Sequence, residues 1–85
     1  MKSISYVITD ELGIHARPAG QLVKVVAGVE GKAQIGTPAK MVDAKRIMGV
    51  MGLAVKQGNE ITMTFEGPDE DAAADAALAF LKDNL

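Results

Sequence analysis

The chain's single imidazole, His15, sits in the run Gly13-Ile14-His15-Ala16-Arg17-Pro18-Ala19. A neutral imidazole is a nucleophile near pH 7. Arg17, two residues on, brings a guanidinium able to pair with phosphate oxygens. Pro18 fits a helix only in its first turn, where its missing N–H is no loss. His15 then falls in the N-cap region, at the positive end of the helix dipole, where first-turn N–H groups have no intrahelical partner. Helix starts of this kind bind anions. Pro18 has no N–H to give, so Ala16 and Arg17 are the nearest backbone donors. A lone histidine is by default structural or inert. Here a nucleophile, a cation and an anion site are gathered within four residues, which suits reversible phosphoryl transfer. The run offers neither the base and orienting acid of a hydrolytic triad nor anything that positions a water.

The elements that must hold this run can be read from periodicity. Ile4, Tyr6 and Ile8 alternate with Ser5, Val7 and Thr9, giving a strand with one buried face. Asp10-Glu11-Leu12-Gly13 breaks it. Residues 16–27 read as a helix with Ala19, Leu22, Val23 and Val26 on its inner face and Gly28 as its stop. Residues 32–35 and 40–43 are short strands, with Gly36-Thr37-Pro38 as the hairpin turn between them. Residues 47–53 form a short apolar run with two glycines. Ile61, Met63 and Phe65 alternate with Thr62, Thr64 and Glu66, giving a further one-faced strand that Gly67-Pro68-Asp69 ends. Residues 69–84 form the clearest helix, with Asp69, Glu70 and Asp71 at its dipole-favoured end and Ala74, Ala77, Leu78, Leu81 and Leu85 as its apolar stripe. One-sided strands and amphipathic helices predict an α+β open-faced sandwich, with helices on one face of an antiparallel sheet and water on the other.

With 85 residues, the chain is expected to form one domain over residues 1–85. The absence of cysteine excludes disulfide scaffolds and thiolate zinc sites, and suits a reducing cytoplasm. No apolar stretch approaches the ~18 residues of a membrane span. The net charge of −2 hides an asymmetry. Residues 1–57 carry eight basic and four acidic side chains, and residues 58–85 one basic and seven acidic. This balance lacks the dense basic patch of nucleic-acid binders. A moderately basic half fits a phosphate or an acidic protein surface, although ordinary solvated charge explains it equally well. Acidic residues crowd into one helix start without metal-ligand spacing, and no P-loop or dinucleotide fingerprint is present. No metal or cofactor is expected.

The run from Gly13 to Ala19 resembles the active-site motif of HPr, the phosphocarrier family of the bacterial phosphoenolpyruvate:sugar phosphotransferase system. Lys45-Arg46-Ile47-Met48-Gly49-Val50-Met51-Gly52-Leu53 resembles that family's second motif, and the resemblance in length and element order covers essentially the whole chain. It implies a four-stranded antiparallel sheet with helices packed on one face. It also implies phosphorylation of His15 on Nδ1 by enzyme I, transfer to sugar-specific IIA proteins for sugar uptake, and a cytoplasmic, monomeric, non-enzymatic carrier. Ala16 and Arg17 would hold the phosphoryl group.

For Ile47, Val50 and Leu53 the simplest reading is core. Met48 and Met51 are better placed for partners, because flexible, polarizable methionine suits surfaces that accept several of them. With the resemblance, the expected docking patch is Ala16, Gly20, Ile47, Met48 and Met51. Gly49-Val50-Met51-Gly52 also matches the GXXG loop of RNA-binding KH domains, but its centre is apolar and the chain is acidic. In one respect the sequence departs from many family members. Arg46 occupies the position of a regulatory serine phosphorylated by a dedicated kinase, and it has no hydroxyl to accept a phosphoryl group. The alternative reading is a regulatory module that docks the same partners and carries nothing. Relatives of that kind lack the histidine.

Overall fold

The described residues fold into β1 (Lys2–Val7), α1 (Ala16–Ala27), β2 (Lys32–Thr37), β3 (Lys40–Asp43), α2 (Ile47–Met51), β4 (Glu60–Glu66) and α3 (Glu70–Asn84). The computed structural model describes residues 1–37 and 39–85. The strands form one antiparallel sheet in the order β1-β4-β2-β3. Period-two alternation decides its faces. Ile4, Met63 and Ile35 share one cross-strand row, and Phe65 and Ala33 another, on the side the helices cover. Ser3, Thr64, Gln34 and Asp43 form a row on the uncovered side, where Ser5 Oγ lies 3.4 Å from Thr62 Oγ1. The sandwich is open-faced, as the alternation predicts.

Three helices cover the other side. α1 buries Pro18, Ala19, Leu22 and Val26, and α3 buries Ala73, Ala74, Ala77 and Leu81. Full burial of Leu22 or Leu81 contributes roughly 1.5–3 kcal/mol each. The small alanines of α3 let it lie close to α1 and the sheet, so Ala73 takes the inward position and Leu78 is only half-buried. Of the short run after β3, Val50 alone is fully buried. Leu53 is half-buried and Ile47 is exposed, because a helix of five residues turns only one side chain fully into the core. The core reading of Ile47 is therefore corrected.

The turn expected at Gly36-Thr37-Pro38 is also revised. Gly36 and Thr37 extend β2, paired with Met41 and Lys40, and Pro38 lies outside the described residues. Gly36 reads as a turn residue, but its function is close approach: a Cβ there would sit 1.9 Å from the Lys40 carbonyl oxygen. Among the described residues no helix is long and apolar enough to cross a membrane.

Candidate functional site

The site is set by what precedes α1. β1 ends at Val7, and the chain is then pinned from two directions. Ile8 N–H bonds Asn59 O at 2.9 Å, and Gly58 N–H bonds Ile8 O at 2.8 Å. On the other side Thr9 and Asp10 both donate their N–H to the carbonyl oxygen of Leu85, reinforced by Thr9 Oγ1 at 2.7 Å. A tight turn follows: Asp10 Oδ1 accepts Leu12 N–H at 2.8 Å, and Gly13 N–H donates to Asp10 O at 3.0 Å. Gly13 has φ +66°, and a Cβ on it would lie 2.1 Å from Val55 O. Only glycine meets both demands. Ile14 then buries its side chain and donates its N–H to Val55 O at 3.2 Å.

These anchors deliver His15 to the N-cap of α1 in extended conformation, φ −98° and ψ −177°. Its carbonyl accepts Ala19 N–H at 3.0 Å. Its side chain makes no capping hydrogen bond, so the ring is not used up in holding the helix. The imidazole is 36% exposed, and its Nε2 lies 3.9 Å from Asp10 Oδ1. Asp10, His15, Arg17, Pro18, Gln21 and Asn84 line one open cleft of about 220 Å³. The structure thus brings together His15, Arg17 and the start of α1, the three parts read from the sequence.

It adds three residues that sequence reasoning missed. Asp10 reads locally as part of a strand break, and the absence of an orienting acid holds only for the run 13–19. Gln21 is one helical turn beyond Arg17 and carried no signal of its own. Asn84 arrives from the far end of the chain, its Nδ2 bonded to Phe80 O at 3.0 Å.

Against α1 the apolar residues of α2 stand out. Met48 is 78% exposed, and Ile47 and Met51 are each 39% exposed. A Cβ on Gly20 would meet Ile47 Cδ1 at 3.5 Å, so Gly20 of α1 and Ile47 of α2 are neighbours. Ala16 is exposed at the start of α1. Leu12, on the loop leading to His15, is a further exposed apolar side chain.

Arg46 occupies the N-cap of α2 and makes no capping hydrogen bond; its Nε lies 3.9 Å from Asp43 Oδ2. Its neighbour Lys45 is not a free surface cation. Lys45 Nζ donates to Val29 O at 2.6 Å and Gly31 O at 2.9 Å, tying β3's exit to the loop after α1.

Residues 2–83 match the family described as PTS HPr component, phosphorylation site. A phosphocarrier protein HPr of Lysinibacillus sphaericus is 44% identical over 81 residues, which span 95% of this chain and 92% of that protein. The crystal structure of an HPr from Thermoanaerobacter tengcongensis superposes with a TM-score of 0.92 at 35% identity, covering 98% and 93% of the two chains. Crh, a catabolite-repression protein of Bacillus subtilis solved as a swapped dimer, is less similar. Its TM-score is 0.77 at 31% identity, with 94% and 92% covered.

Proposed function

The chain belongs to the HPr family of bacterial phosphocarriers, and from that premise we propose that His15 Nδ1 takes a phosphoryl group from phosphorylated enzyme I and passes it to sugar-specific IIA proteins. The observation that carries this reading is the partly exposed imidazole at the N-cap of α1, unspent on capping and in one cleft with Arg17. Ala16 and Arg17 N–H groups hold the phosphoryl oxygens, and the Arg17 guanidinium offsets their charge. Oriented donors and a fixed cation lower the cost of bringing the phosphoryl group in line with the ring. Ala16, Gly20, Ile47, Met48 and Met51 form the docking patch that seats each partner over the cleft. A desolvated apolar centre excludes water from the transferring group, which favours carriage over hydrolysis. The phosphorylated ring is an intermediate in a relay, so the protein is a stoichiometric carrier, cytoplasmic and monomeric, without metal or cofactor.

Incubation with phosphoenolpyruvate and catalytic enzyme I should add one acid-labile phosphoryl group, which a IIA protein then removes. Sedimentation of the phosphorylated protein should give the monomer mass. The similarity to Crh favours a second reading, a regulator that docks without carrying phosphate. That reading predicts binding to partners with no labile phosphohistidine in the same assay.

A further inference from the structure

The carboxylate facing His15 has no part in the scheme above. Asp10 comes from the loop after β1, and three contacts fix it: its N–H on Leu85 O, its carbonyl on Gly13 N–H, and its Oδ1 on Leu12 N–H. The same Oδ1 stands 3.9 Å from His15 Nε2, and both side chains line one cleft. Arg17 is the other charged residue of that cleft; Gln21 and Asn84 are neutral. The imidazole therefore meets a carboxylate on its Nε2 side. An imidazole nitrogen that faces a fixed anion carries the proton, and the other nitrogen keeps the lone pair.

We propose that Asp10 is the positioning residue for His15, holding the ring proton on Nε2 so that Nδ1 is the nitrogen that takes the phosphoryl group. This inference rests on the carrier reading and deepens it. In the step itself, the Nδ1 lone pair forms the bond to phosphorus. The bond from phosphorus to the phosphorylated donor breaks, and its electron pair leaves with the donor. No proton moves. The ring keeps Nε2–H and becomes cationic, and the Asp10 carboxylate already faces the new charge. On transfer to the acceptor the bond changes reverse and the ring is neutral again. Asp10 touches neither phosphorus nor the leaving atom, so it acts only through the ring.

Asp10→Asn isolates the charge, because an amide oxygen can still accept Leu12 N–H and preserve the turn. Phosphoramidate is the probe, since a small donor needs no docking patch. Phosphorus–nitrogen correlation spectra then report which ring nitrogen is modified. The unmodified protein should give Nδ1-phosphohistidine as its dominant product. Asp10→Asn should react about fivefold more slowly at Nδ1, in keeping with the loss of a half-exposed charge pair. It should also gain an Nε2 product, with an unchanged melting temperature. A merely structural role for Asp10 would not move the choice of nitrogen. Identical products and rates from the two proteins would overturn the proposal. Failure of enzyme I to phosphorylate the unmodified protein, with the phosphoramidate products as expected, would instead defeat the carrier reading alone.

Discussion

The starts of α1 and α2 are built alike at the backbone and differently around it. Each is capped by a residue in extended conformation, His15 or Arg46, and neither side chain caps its helix. Around His15 the chain is locked by a positive-φ glycine, by Val55 O and by Leu85, and a cleft opens between α1 and the end of α3. Around Arg46 the side chain stands in solvent, with its Nε 3.9 Å from Asp43 Oδ2. α2 is five residues long, so its dipole is short, while α1 runs for twelve. A helix start becomes a chemical site when its cap is held rigidly, its donors are unspent and a side chain with chemistry faces a cleft. The start of α2 also has uncapped donors, but without a locked approach or a cleft it contributes surface instead.

The largest effect expected is at the cap itself. His15→Ala should abolish phosphorylation by enzyme I and leave circular dichroism unchanged, whereas Arg46→Ala should leave labelling intact. Label persisting on His15→Ala would place the phosphorylated group away from this helix start.

The rigidity of the first start is tested by glycine replacement. Gly13→Ala combines a left-handed backbone with overlap on Val55 O, and should cost about 3 kcal/mol in urea unfolding. Gly49→Ala in α2 meets nothing nearer than 3.6 Å and should be neutral or slightly stabilising. Similar midpoints for the two variants would remove the distinction between a locked and an open helix start.

Arg17→Ala should slow transfer by about tenfold, or 1.4 kcal/mol of activation energy, with little change in melting temperature. Met48→Asp should leave the rate from phosphoramidate alone but weaken binding to enzyme I by about tenfold, because a carboxylate must be desolvated at an apolar contact. Titration calorimetry beside single-turnover labelling separates the two. Arg17→Ala should act on the rate and Met48→Asp on the affinity.

Much of this was legible in the sequence where local rules decide. α1 begins at Ala16 and ends at Ala27 as read, because Pro18 and Gly28 bracket a strong period. β3 also matches, and β4 is within one residue. The sequence pattern ends β2 at Ile35, because Gly36 and Thr37 look like turn residues, and only the partner strand's approach reveals why glycine is there. His15 and Arg17 were legible because they adjoin a helix start that Pro18 marks. Asp10 and Asn84 were not, because no local pattern says that α3 returns its end to the start of α1. Lys45 is settled by the same kind of long-range approach. Beside Arg46 it reads as a surface charge, but its ammonium is spent on carbonyls 14 and 16 residues back.

The smallest effect is expected at Arg46, the cap of the second helix start. Serine at that position could accept the N–H of Met48 or Gly49, a cap that α2 now lacks. Such a cap contributes about 1 kcal/mol in a long helix. Against it stands the loss of the Arg46–Asp43 pair, which is largely solvent-exposed and contributes a few tenths of a kcal/mol, roughly. Arg46→Ser should therefore raise the urea midpoint by an amount corresponding to roughly 0.5–1 kcal/mol, with an unchanged slope. It should also remove a positive charge beside Met48, so that binding to enzyme I loses less affinity with added salt than the unmodified chain does. Lys45 cannot swing out to replace it, because its ammonium is held against the carbonyls of Val29 and Gly31. Incubation with ATP and an HPr kinase of a Gram-positive bacterium should leave the mass of the unmodified chain unchanged and add one phosphoryl group to Arg46→Ser. Equal salt slopes would place Arg46 outside the docking surface, and phosphorylation of the unmodified chain by that kinase would show that its control does not depend on this position.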